Sequence, residues 1–242
     1  MSAGRAGRKS RRVLARGAVC VGLVTASLCA AQGAQAAGGV VIVPPSVVQS
    51  TWRMPDQLTK DARPRTDPMR AQAVDTAEAL AAFRAEATPT TEVRWRMELA
   101  RLAGMVAPRV GVERAHLLNA WHTTTPQHQV ALVTGLTTLG VGYEFGSDNP
   151  KKGLDCSGLI AYAWKHVGIE LPLQSLSQYR ATKPVEKKEA LAGDLIWYPG
   201  HTMMYLGVGD AVLHSARPNA GVRVGLVGWR ELPQMKFGNP LK

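Results

Sequence analysis

Cysteine is scarce in this 242-residue chain, which has three, at positions 20, 29 and 156. Two lie within the first 36 residues, so a processed protein would keep only Cys156. A lone thiol cannot close an internal disulfide, which excludes a disulfide-stapled scaffold. It is a buried inert group, an intermolecular linker or a reactive group. Long apolar runs are also missing. The one candidate, residues 18–31, is too short for a comfortable membrane span, so no span is expected in the mature chain. Internal repeats and low-complexity tracts are absent too. So are the close His and Cys pairs typical of zinc sites.

Charge is distributed without clusters. Of the 29 Lys and Arg, six lie within the first sixteen residues, leaving 23 against 18 Asp and Glu, a net +5. An even spread of that surplus argues against a dedicated nucleic-acid surface. A mild positive charge suits an anionic cell wall.

Residues 1–36 follow the order of a secretory signal peptide: Arg5, Arg8, Lys9, Arg11, Arg12 and Arg16, then the apolar run, then Ala34-Gln35-Ala36 at a cleavage site. Ser10-Arg11-Arg12-Val13-Leu14 is similar to a twin-arginine signal. Leu28 is a poor residue before a lipidated Cys29. The expected destination is outside the cell, secreted or associated with the wall.

Residues 37–66 read as a linker, with Pro44, Pro45, Pro55 and Pro64 and no sustained period. Asp67 before Pro68 is a helix start. Apolar spacing predicts helices over 68–87, 92–106 and 112–122. This 67–122 segment is either a spacer packed on the main domain or a piece that restricts access to a site. Residues 123–242 form the main domain. It begins with a helix over 126–139, then a stretch containing Gly140, Gly142, Gly146 and Gly153, then a helix over 157–167. Strands are predicted at 195–198, 202–206, 211–214 and 222–227. Helices followed by strands indicate an α+β domain with an antiparallel sheet.

Within Leu154-Asp155-Cys156-Ser157-Gly158-Leu159, a glycine-bearing loop precedes the thiol and a helical pattern follows. Cys156 therefore opens a helix. Free N–H groups and the helix dipole stabilise an anion there, so a depressed thiol pKa is expected. Asp155 and Ser157 are cap-type residues. A cysteine nucleophile needs a base. His116, His122 and His128 precede the glycine stretch, and their default reading is surface or core. His166 stands some 15 Å along the helix axis from Cys156 at about 1.5 Å per residue. His201 and His214 lie in strands joined by Gly207-Val208-Gly209-Asp210, a hairpin turn. A turn centred between Gly207 and Val208 makes the two histidines direct cross-strand neighbours. They would supply a base and a second polar group that orients it.

Gly140 to Val224 resembles the NlpC-type cell-wall peptidases, a papain-like family of peptidoglycan endopeptidases. Tyr143 and Gly146 fit the approach to the nucleophile, and Asp155-Cys156-Ser157-Gly158-Leu159 fits the nucleophile motif in full. Gly168-Ile169, Leu171-Pro172, Ser175, Gln178 and Gly193-Asp194-Leu195 follow in order. His201, then Tyr205-Leu206-Gly207, His214, Ala216 and Val222 or Val224 complete the series. Phe145 stands where tryptophan is commonest and keeps an aromatic there. Gly142 replaces a proline, Leu173 an arginine, and Met203 a smaller residue.

The resemblance implies a helical lobe on an antiparallel sheet. It implies Cys156 as nucleophile, His201 as base, His214 as its orienting group, and no metal or organic cofactor. The oxyanion would meet the Cys156 N–H and the Tyr143 hydroxyl. Tyr143, Asp155 and Ser157 are the candidate substrate contacts. The implied substrate is the peptidoglycan stem peptide, cut between D-glutamate and a diamino acid. The same fold also serves amidases and acyltransferases, and a non-catalytic wall-binding protein is a further alternative.

Overall fold

The computed structural model describes residues 67–216, 220–228 and 230–241. The expected signal peptide and linker lie outside the described residues. Asp67 accepts the Met69 N–H at 3.0 Å and starts α1 (Pro68–Ala85). Met69, Ala73, Ala77 and Leu80 fall on its buried stripe, as their spacing requires. A second helix, α2 (Pro89–Val106), starts three residues earlier than its apolar period suggests. Thr88 and Thr91 form a reciprocal capping box and Pro89 takes the first turn, where it needs no N–H partner. After α3 (Arg114–Thr123), Thr125 caps α4 (Pro126–Leu136).

A two-residue hairpin, β1 (Asp148–Asn149) with β2 (Gly153–Leu154), leads into α5 (Cys156–Lys165). Then come α6 (Ser175–Arg180), β3 (Lys183–Val185), β4 (Leu195–Tyr198), β5 (His201–Tyr205), β6 (Ala211–Ala216), β7 (Gly221–Leu226) and β8 (Lys236–Asn239). The last six strands form one antiparallel sheet in the order β3-β8-β4-β5-β6-β7. The fold class is thus α+β, helices on an antiparallel sheet.

Period-two alternation divides the sheet into two faces. Leu195, Met204, Ala211, Leu213 and Val222 join the main core with α4 and α5. Ile196, Met203, Tyr205, Val212 and Phe237 form a smaller cluster on the other face. The main core also takes in Leu80, Leu99, Leu102, Leu117 and Trp121 from the first three helices. Polar bonds reinforce that union. The buried Trp121 Nε1 donates to the Leu206 carbonyl at 2.9 Å, Thr124 Oγ1 to the Ala192 carbonyl at 2.9 Å, and Arg70 Nε to the Thr137 carbonyl at 3.1 Å.

The β5–β6 register differs from the expectation. Met204 faces Leu213 and Tyr205 faces Val212. The turn is therefore a four-residue loop, 207–210, with Gly207 and Gly209 at φ +89° and +58°. Its Leu206 N–H bonds the Ala211 carbonyl at 2.9 Å. This shifts the pairing by two residues, so His201 and His214 are diagonal rather than directly opposed. A shift of two preserves the face, and the histidines still meet.

Candidate active site

The loop before α5 is pinned on three sides. Gly140 N–H bonds the Val222 carbonyl at 2.9 Å, Leu154 N–H the Gly142 carbonyl at 2.9 Å, and Asp155 N–H the Ser147 carbonyl at 3.2 Å. Asp155 then fastens the loop to the helix. Its Oδ1 accepts the Gly158 N–H at 2.6 Å and the Ser157 hydroxyl at 3.0 Å, while Oδ2 accepts the Gly146 N–H at 2.6 Å. Ser157 Oγ also donates to the Leu173 carbonyl at 2.7 Å. Gly158 is required by contact, since a Cβ there would overlap the Ser147 carbonyl.

Asp155 and Ser157 are buried, and neither lines the cleft described next. Phe145 is 86% exposed and also stands apart from that lining.

Cys156 is the first residue of α5 and half-buried. It opens into a cleft of about 680 Å³ shared with Tyr143, His201, Met203 and His214. His201 is placed by the β4–β5 hairpin, in which Tyr198 pairs with His201 across a two-residue Pro199-Gly200 turn. Proline first and a glycine at φ +87° second is what a type II turn demands. His201 Nε2 lies 3.3 Å from His214 Nδ1, with the rings near perpendicular at 80°. This contact leaves Nδ1 as the second nitrogen of His201.

The thiol pKa is pushed up, against the expectation from the helix start. Burial is the largest cause and the Asp155 carboxylate adds to it. The backbone N–H groups of Thr202, Ser157 and Cys156 pull the other way without prevailing. The Thr202 N–H also ties the sulfur to the residue that follows His201. Tyr143 is raised by burial first, then by charge interaction with Cys156 and Asp155 as they ionise, so its hydroxyl stays protonated beside the thiol. His214 is pushed down to about 4 by burial, then by His201 and Arg223, and is neutral near pH 7.

A buried pair supports the hairpin from behind. His128 Nε2 lies 2.8 Å from Asp194 Oδ1, its Nδ1 lies 2.7 Å from Thr125 Oγ1, and Asp194 Oδ2 accepts the Leu191 N–H at 2.7 Å. His128 read only as a core or surface residue in the sequence. The partner that explains it is 66 positions away. Arg223, Tyr198 and Glu231 also line the cleft. Arg223 could have been found from sequence only by pairing β6 with β7 correctly. Among the described residues, no group of three His, Cys, Asp or Glu could hold a metal ion. No helix among them is long and apolar enough to cross a membrane.

An α+β domain that opens a helix with a thiol, facing two sheet histidines across one cleft, defines the class. Residues 140–228 match the model of the NlpC/P60 family, and the chain carries a domain of that family. It is 36% identical over 90 residues to the bifunctional muramidase/DL-endopeptidase CwlT of Bacillus subtilis, covering 34% of this chain and 27% of that protein. It is 34% identical over 106 residues to the peptidoglycan endopeptidase RipA of Mycobacterium tuberculosis, covering 37% and 22%. Among solved structures it is similar to RipD of Mycobacterium tuberculosis, described as a non-catalytic, peptidoglycan-binding NlpC/p60 protein. That match has a TM-score of 0.41 and 25% identity over 48% of this chain and 98% of that one. The chain thus spans about a quarter of the length of the two curated relatives.

Proposed function

We propose that this protein is an exported cysteine endopeptidase that hydrolyses peptidoglycan stem peptides, with the D-glutamyl–diamino acid bond as its target. The observation that carries the reading is the 3.3 Å contact between His201 Nε2 and His214 Nδ1 in the cleft that holds the Cys156 thiol. That contact supports an Nε2–H tautomer of His201 directed at a neutral His214. Nδ1 of His201 is then the base that takes the Cys156 proton. The thiolate attacks the amide carbonyl. Nδ1 returns the proton to the leaving amine, and water releases the acyl group.

The Cys156 backbone N–H and the protonated Tyr143 hydroxyl are the donors for the oxyanion. His214 positions the imidazole without adding charge. The basic-apolar-small order of residues 1–36 supports export.

The test is a digest of purified peptidoglycan by the mature protein beside Cys156→Ala, with fragments identified by mass. Stem-peptide fragments from the wild type alone are expected. Release of whole stems from the sugar would make it an amidase, and identical profiles would leave a wall-binding protein. His214→Ala is expected to retain more activity than His201→Ala, and the reverse order would exchange their roles.

A further inference from the structure

The cleft holds two opposite charges that the catalytic reading does not use. Arg223 on β7 is the cross-strand partner of His214 on β6. Directly opposed residues project from the same face of a sheet, so the guanidinium stands beside the catalytic histidines. It is close enough that its charge lowers the His214 pKa. Glu231, just beyond β7, lies on the same cleft. Its carboxylate sits over the chain at Gly228, where a Cβ would overlap Oε2. Among the described residues neither Arg223 nor Glu231 makes an ion pair, with the other or with anything else. A cleft whose described lining holds one such cation and one such anion is complementary to a group that carries both signs.

The chemistry fixes which end of the substrate meets them. His201 delivers its proton to the leaving amine, so the amine side of the bond crosses the histidine edge of the cleft. Arg223 lies further along that edge, next to His214. This step rests on the peptidase reading above.

We propose that Arg223 and Glu231 form the subsite for the residue whose amine is released, and that they select a diamino diacid over a simple diamino acid. Glu231 takes the distal ammonium. The Arg223 fork takes the distal carboxylate, which a lysine-type residue lacks.

The test separates binding from turnover. Two synthetic stem tetrapeptides, identical except for diaminopimelate or lysine at the third position, are titrated by calorimetry into the Cys156→Ala protein. The diaminopimelate peptide is expected to bind roughly ten- to a hundredfold more tightly, the range of one charge-assisted hydrogen-bonded contact. Adding Arg223→Ala should bring that ratio close to one, with Arg223→Gln as a second variant of similar bulk. Adding Glu231→Gln should weaken both peptides together. A ratio near one in the parent, a ratio unmoved by either Arg223 change, or no binding of either peptide would overturn the subsite. If the Cys156 protein cuts neither peptide while the binding ratio responds to Arg223, the subsite stands and the peptidase reading falls. Cleavage of both at equal kcat/KM, with Arg223→Ala unchanged, sinks the subsite alone.

Discussion

Cys156 sits between opposing influences that the sequence displays unequally. The helix start is visible in Asp155-Cys156-Ser157, and with it the N–H groups that favour a thiolate. Burial is not visible, because it depends on the β5 strand some 45 positions later, and it is the larger effect. On the proposed mechanism, a thiol raised in this way acts as a nucleophile at neutral pH only through its base. His201→Ala should therefore lower the alkylation rate of Cys156 by iodoacetamide at pH 7 at least tenfold. The inflection of its rate profile, already raised by burial, should not fall towards the free-thiol value. A rate profile identical to the wild type would remove His201 from the role.

His214 carries a second titration argument at this scale. Its pKa falls from 6.5 unfolded to about 4 folded, so the neutral form stabilises the fold fully above 6.5. That stability, up to roughly 3 kcal/mol, is lost as pH falls from 6.5 towards 4. His122 and His166 are lowered mainly by burial and contribute in the same direction. Thermal melts between pH 7 and pH 4 should thus show a shallower acid loss for His214→Gln than for the wild type. Equal slopes would show that His214 is not held neutral.

At the scale of elements, the long helices and the four apolar strands were legible, because each carries its own period. What stayed hidden is short or depends on a partner. Strand β8 has one buried aromatic, Phe237, in Lys236-Phe237-Gly238-Asn239, yet it pairs on both sides and completes the sheet. The β5–β6 register slipped by two because glycines at 207 and 209 permit either a two- or a four-residue turn. The His128–Asp194 pair shows how an element end can be fixed by a distant one. It ties the start of α4 to the start of β4, and so steadies the hairpin that delivers His201. Both side chains are essentially inaccessible to solvent. Asp194→Ala leaves His128 and the Leu191 N–H without an acceptor in a buried place. It is expected to lower stability by about 3–5 kcal/mol, read as a drop in the denaturant midpoint at constant slope. A loss below about 1 kcal/mol would mean that water replaces the carboxylate there.

At the scale of the whole molecule, apolar spacing says that α1, α2 and α3 each have a face to bury, but not against what. Both readings of residues 67–122 were therefore open in the sequence. The contacts favour the packed one. Trp121 and Leu117 are fully buried in the core that also holds Leu132, Leu139 and Leu206, and the Trp121 indole is bonded to the strand end at Leu206. Among the described residues, none from α1, α2 or α3 lines the cleft. A chain beginning at residue 123 would uncover apolar side chains on α4 and leave the Leu206 carbonyl without its indole donor. Losing a fully buried tryptophan alone costs about 3–5 kcal/mol, a large share of the stability of a domain this size. The 123–242 fragment should therefore aggregate or melt far below a 67–242 protein when both are followed by circular dichroism. Removing the helices should also give no gain in peptidoglycan hydrolysis per folded molecule. A fragment that is stable and more active than the longer protein would reverse this conclusion and make the helical segment a restraint on the site.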